Sequence, residues 1–152
     1  MKKIIIAGST GYLGSHLVKE LQSQKLPFQA IARNEKRLLE KGLNPEQVIS
    51  AEVTDPTTLT GQLEDADILI STVGITRQKD GLTYMNVDYQ ANMNLLKEAK
   101  KAGIKKFIYV SVINGEKMRN LKIVEAKEKF VDELKRSGMD YLIVRPNGFY
   151  SD

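Results

Sequence analysis

Cysteine is absent from this 152-residue chain. Its absence removes disulfides, thiolate nucleophiles and sulfur ligands for a metal. Histidine occurs once, as His16. One imidazole without thiolates makes no structural zinc site, so no metal is expected, and no Ser-His-Asp set is present. His16 itself reads as a surface or packing residue of the first helix. Nowhere does an apolar run approach the ~20 residues that cross a bilayer. The opening stretch Met1–Ala7 has the basic start of a signal peptide, but its apolar run is too short and is broken from Gly8 onward. Low-complexity tracts, linkers and internal repeats are missing too. These absences leave a cytoplasmic protein with no membrane partner as the expectation, and the lack of thiols fits a reducing compartment.

What remains is an ordinary globular composition, 41% hydrophobic and 28% charged, of a length typical of one domain. The net charge is +4, which raises nucleic acid as a partner. The lysines, however, are spread over several predicted helices, as at Lys97, Lys100, Lys101, Lys105 and Lys106. Solvated helix faces account for them, and no nucleic acid is expected.

Hydrophobic runs and helical spacings alternate along the chain. Lys3–Ala7 is a continuous apolar run, the pattern of a strand buried on both faces. Leu13, Leu17, Val18 and Leu21 then fall at helical spacing over residues 12–24. Phe28–Ala32 predicts a second strand, Glu35–Lys41 a short helix stopped by Gly42, and Val48–Val53 a third strand. Asp55-Pro56 supplies a cap and first turn for a helix through Leu63. Ile68–Thr72, Phe107–Ser111 and Tyr141–Arg145 predict three more strands, separated by helices from about Thr83 to Ala102 and from Ile123 to Arg136. Short connections between alternating strands and helices predict an α/β fold: a doubly wound parallel sheet of about six strands, order 3-2-1-4-5-6, between two helical layers.

The first strand runs into Gly8-Ser9-Thr10-Gly11-Tyr12-Leu13-Gly14, which opens the first helix. Gly8 suits the tight turn off the strand. Gly11 keeps side chains away from a pyrophosphate, and Gly14 lets helix and sheet approach. The helix N-terminus adds free N–H groups and a positive dipole end for phosphates. No P-loop lysine follows the glycines. A dinucleotide is the implied ligand.

The spacing is G-x-x-G-x-x-G rather than G-x-G-x-x-G, and in this it resembles the short-chain dehydrogenase/reductase superfamily. Three further segments, Val87–Leu96, Ala102–Ser111 and Val144–Tyr150, resemble its atypical, NmrA-like branch, so the resemblance extends over nearly the whole chain. That branch includes NAD(P)H-dependent reductases, quinone-reductase-like proteins and redox sensors without evident catalysis. Within it, Ala51-Glu52-Val53 stands where an aspartate often lies near the adenine. Glu52 departs from that pattern, and Asp55 reads as a helix cap. Ser71-Thr72-Val73-Gly74 matches the segment that passes the adenosine ribose.

The end of the second strand bears on the choice of nucleotide. An acid there would bind the ribose hydroxyls and select NAD. The chain reads Ala32-Arg33-Asn34 instead, and Arg33 is placed to take a 2′-phosphate, with Lys36 and Arg37 adding charge. NADP(H) is favoured over NAD(H).

The resemblance also implies a catalytic set: a serine, matched by Ser111, and a Tyr-x-x-x-Lys pair whose lysine is matched by Lys127. Ile123 stands where the tyrosine would be, and isoleucine transfers no proton. The usual carbonyl mechanism is therefore missing as written, although hydride transfer to a quinone does not need the tyrosine in that role. In the resembled family a substrate region follows the sixth strand, whereas this sequence stops at Asp152. The expectation is a single NAD(P)H-binding domain, 1–152, of an oxidoreductase acting on a carbonyl or quinone-like acceptor. A non-catalytic redox sensor or assembly factor, and a sugar-nucleotide epimerase relative, are the alternatives. Whether the chain is an enzyme stays open at this stage. The helices over 83–102 and 123–136 could pair into the dimer seam common in the superfamily, which makes a homodimer an open expectation.

Overall fold

In a computed structural model that describes residues 2–75 and 81–147, the apolar runs form six parallel strands. These are β1 (Ile4–Ala7), β2 (Phe28–Ala32), β3 (Val48–Ser50), β4 (Ile68–Ser71), β5 (Lys106–Val110) and β6 (Asp140–Val144). Their order is β3-β2-β1-β4-β5-β6, as the alternation predicts. The helices are α1 (Tyr12–Ser23), α2 (Glu35–Glu40), α3 (Asn92–Ala102) and α4 (Lys122–Arg136). None of them is long and apolar enough to cross a membrane.

β1 is central because it can be buried on both sides. Ile5 and Ile6 point to opposite faces and are both fully buried. Ile5 joins a core with Leu69, Leu95, Phe107, Phe130 and Leu134. Ile6 joins a smaller core with Val18, Leu21, Phe28 and Leu38. On that second face burial falls away toward the sheet edge. Ile6, Ile70, Ile108 and Leu142 lie side by side in register, yet Ile6 is 0% exposed and Leu142 48%.

Three expected boundaries differ in the structure. The third strand ends at Ser50 rather than Val53. Beyond it the Glu52 N–H donates to the Thr58 hydroxyl at 3.0 Å, and that hydroxyl donates to the Glu52 carbonyl at 2.8 Å. The backbone there is bonded to a threonine side chain instead of a neighbouring strand. The helix expected through Leu63 is only a 3-10 turn, Pro56–Leu59. Asp55 caps it by accepting the Thr57 N–H at 3.1 Å, but a run of threonines with local side-chain bonds does not propagate it. The long helix from Thr83 is two structures: π-helical turns over Met85–Ala91, then α3. The wider turns carry Asp88 and Asn92 inward, both fully buried. Residues 148–152, which hold the end of the Val144–Tyr150 segment, lie outside the described residues.

All six strands point the same way, so the loops after them gather on one edge. β1 and β4 are neighbours whose connections leave on opposite faces. This is the switch point at which an open α/β sheet forms a crevice.

Candidate dinucleotide site

The loop after β1 is built on backbone geometry that two glycines make possible. Gly8 has φ +86°, a conformation that L side chains rarely adopt. A Cβ on Gly14 would overlap the Gly8 carbonyl oxygen, so this glycine alone lets α1 start directly above the strand end. The Ser9 hydroxyl donates to the Ile31 carbonyl at 2.7 Å and ties the loop to β2. Gly11, the N-cap of α1, is exposed and provides no capping side chain, and the first turn holds no acid. The positive end of the helix thus faces the crevice without a capping side chain or a first-turn acid to neutralise it.

Two adjoining cavities make up the crevice, sharing Gly11, Thr72, Gly74 and Ile75 as common wall. The outer one, 290 Å³, is lined by Gly8, Ser9, Thr10, Arg33, Glu52, Val53 and Val73 among others. The inner one, 410 Å³, brings in Tyr12, Leu13, Ser111, Ile123 and Lys127. Of the residues predicted for the site, Gly14 lies outside both walls, because it sits beneath them, and so do the two residues expected to add charge beside Arg33, Lys36 and Arg37. A third cavity of 220 Å³ adjoins Arg33 and is framed by Thr10, Ala32, Asn34 and Arg37. Arg33 is largely exposed and stands 3.6 Å from Glu52. Glu52 also accepts the Thr54 N–H and hydroxyl at 3.2 and 2.9 Å. His16 lines neither cavity and lies edge-on to the Tyr12 ring, centroids 4.8 Å apart.

The inner cavity holds the polar groups. Lys127 Nζ is 2.6 Å from Asp88 Oδ1, with the lysine side chain 13% exposed and the aspartate 0%. The other Asp88 oxygen accepts the Ile75 N–H at 3.2 Å. Burial pushes the Asp88 carboxyl above its ordinary range, against the pull of Lys127. The Ser111 hydroxyl donates to Glu128 Oε2 at 2.6 Å. Glu128, buried as well, accepts both terminal nitrogens of Arg145 at 2.8 Å, a bidentate pair. Arg145 also donates to the Val112 carbonyl at 3.2 Å and so holds the loop after β5. Tyr109 packs edge-on against Phe130, ring centroids 4.8 Å apart, and its buried hydroxyl has no hydrogen-bond partner among the described residues. Burial drives that hydroxyl well above its ordinary range, with Asp88 and Glu128 adding to the effect.

Gly74 has a role that the motif did not suggest. A Cβ there would lie 2.6 Å from Asp88 Oδ1 and 2.7 Å from Lys127 Nζ. The glycine makes room for the ion pair on the wall that the two cavities share. Asp88, Asn92, Glu128 and Arg145 were not singled out in the sequence. A signal was present: each of the first three is polar on an apolar helix stripe, Asp88 and Asn92 among Val87, Ala91 and Leu95, and Glu128 between Val124 and Val131. Asn92 Nδ2 donates to the carbonyls of Val73 at 3.1 Å and Asp88 at 2.9 Å, which fixes the segment after β4 to the π-helical turns.

A doubly wound sheet with a glycine-lined crevice at its switch point defines a dinucleotide-binding domain. The chain belongs to the NAD(P)H-binding family, whose model matches residues 8–152. It is 27% identical over 150 residues to the photosystem II assembly factor Ycf39 of Synechocystis, covering 97% of this chain and 45% of that protein. Among solved structures it resembles a putative NAD-dependent epimerase/dehydratase from Bacillus halodurans, at 25% identity and a TM-score of 0.83, covering 100% of this chain and 73% of the other. It also resembles the NADPH-dependent quinone oxidoreductase QOR2 of Escherichia coli in complex with NADPH, at 27% identity and a TM-score of 0.74, with 97% and 49% covered. The chain spans about half the length of the curated relatives it matches, 45% for Ycf39.

Proposed function

We infer that this chain is the cofactor-binding part of an NADPH-dependent reductase whose acceptor is quinone-like. The bare N-terminus of α1 and the exposed Gly11 suit a pyrophosphate. Arg33 and Arg37, on one cavity beside the adenosine end, suit a 2′-phosphate. Ser111 and Lys127 would flank the nicotinamide. A bound nicotinamide would supply the hydride; the rest of the chemistry falls to the chain's own groups.

The state of the proton donors carries the choice of acceptor. Ile123 occupies the wall where a phenol would stand. The one hydroxyl proton of Ser111 goes to Glu128, and Lys127 gives one of its three N–H groups to Asp88. Hydride addition to an isolated carbonyl leaves a strongly basic alkoxide that needs a proton at once. Hydride addition to a quinone leaves a phenolate-like anion, with a pKa of about 10 by analogy with tyrosine, that water can protonate afterwards. The wall around Ile75, Val110, Val112 and Ile123 is apolar, as a quinone ring requires. The cysteine-free composition fits a reducing compartment, and we place the protein in the cytoplasm.

The test is oxidation of NADPH, followed at the nicotinamide absorbance band, with a naphthoquinone and with an aromatic aldehyde. The quinone should be reduced and the aldehyde left unchanged. NADPH binding with no turnover on any quinone would move the reading to a nucleotide-binding sensor or assembly factor, which the missing tyrosine and the likeness to Ycf39 favour.

A second measurement concerns Arg33. NADPH should bind more tightly than NADH, and Arg33→Ala should weaken NADPH by about tenfold, the scale of one charge-assisted contact, with little change for NADH. Tighter binding of NADH by the unsubstituted protein would remove the 2′-phosphate assignment.

A further inference from the structure

We propose that Asp88 is a positioning residue for the nicotinamide end of the crevice, acting through Lys127. This rests on the reading of the inner cavity as the nicotinamide site. The carboxylate is fully buried, yet both its oxygens are used: Oδ1 meets Lys127 Nζ at 2.6 Å and Oδ2 takes the Ile75 N–H at 3.2 Å. One side chain therefore fixes both the cation in the cavity and the backbone of the cavity wall. The surroundings reinforce it. Asn92, one helical turn on, donates to the Asp88 carbonyl and to the Val73 carbonyl. Gly74 is the residue that any larger side chain would push into the pair.

A lysine on a four-carbon stem is otherwise a poor fixed point, because its rotamer freedom costs free energy each time it is ordered. Asp88 meets that cost before the ligand arrives, so the ammonium is already placed when the nucleotide enters. The π-helical turns bring the carboxylate there from a segment that would otherwise be a regular helix.

The experiment compares NADPH with 2′,5′-ADP, which keeps the adenosine half and lacks the nicotinamide half. For the unsubstituted full chain both should bind, and failure of NADPH to bind would overturn the nucleotide reading itself. In Asp88→Asn, NADPH affinity should drop by about tenfold, while 2′,5′-ADP affinity stays within about twofold. Lys127→Met should show the same split. The double variant should bind NADPH no worse than Lys127→Met alone, since residues that act through one another are not additive. Equal losses for both ligands, or additive losses in the double variant, would reduce Asp88 to a structural residue and overturn the proposal. Unchanged NADPH affinity in Asp88→Asn, with the unsubstituted protein binding normally, would overturn it as well.

Discussion

Gly11→Asp should lower NADPH affinity at least about a hundredfold, the scale of like charges forced together at an interface, and leave the fold intact. The expected loss is large because position 11 is the N-cap of α1 and faces both cavities. A carboxylate there would sit against the pyrophosphate and occupy the positive end of the helix that the phosphates would otherwise use. The fold should tolerate it. Gly11 has φ −77°, and a Cβ would be 3.4 Å from its nearest neighbour, the Gly8 carbonyl oxygen. Aspartate is moreover a favourable N-cap residue. Fluorescence titration with NADPH, alongside a thermal melt, separates the two effects. Unchanged affinity in a folded variant would mean that the glycine loop is not the phosphate site.

Arg145→Met should destabilise the domain by about 3–5 kcal/mol, the range for leaving a buried charge without its partner. Glu128 is 2% exposed and has its carboxylate filled by the two arginine nitrogens and the Ser111 hydroxyl. Without the guanidinium, the buried anion keeps the Ser111 hydroxyl as its partner among the described residues. The same arginine bonds the Val112 carbonyl, so the loop after β5 loses one of its ties to the end of β6, while the Ser111 and Ile113 N–H groups still donate to the Val144 and Pro146 carbonyls. Against a usual stability of about 5–15 kcal/mol, this is a large fraction. It corresponds to a melting temperature lower by roughly 10 °C for a domain of this size. Glu128→Gln combined with Arg145→Met should recover part of the loss, because the stranded charge is gone. Urea denaturation of the two variants measures this. If Arg145→Met melts within a degree or two of the unsubstituted protein, the pair contributes little to stability.

The two predictions differ in how visible their residues were beforehand. Gly11 is legible from spacing alone, because three glycines between an apolar run and a helical pattern have few other uses. Arg145 and Glu128 are seventeen residues apart and on different elements. A buried glutamate and an exposed one look the same in a sequence until the helix stripe is read for polar intruders. Even then, its partner is known only once β6 is laid beside β5 and α4 is packed across them.

Local pattern determined the strand order, the glycine turn and the switch point. Apolar runs of four or five residues dictate buried strands, and short right-handed connections leave few ways to order them. The resemblance counted against the tyrosine mechanism already in the sequence, since Ile123 stands where it implies the tyrosine. Tertiary structure decided which polar groups are already engaged. Ser111 donates to Glu128, Lys127 is held by Asp88, and Gly74 clears space for that pair. These contacts join residues 17 and 39 positions apart in the chain. Their partners are chosen by burial, where an unpaired charge is too costly to persist, and burial is a property of the packed whole rather than of any segment.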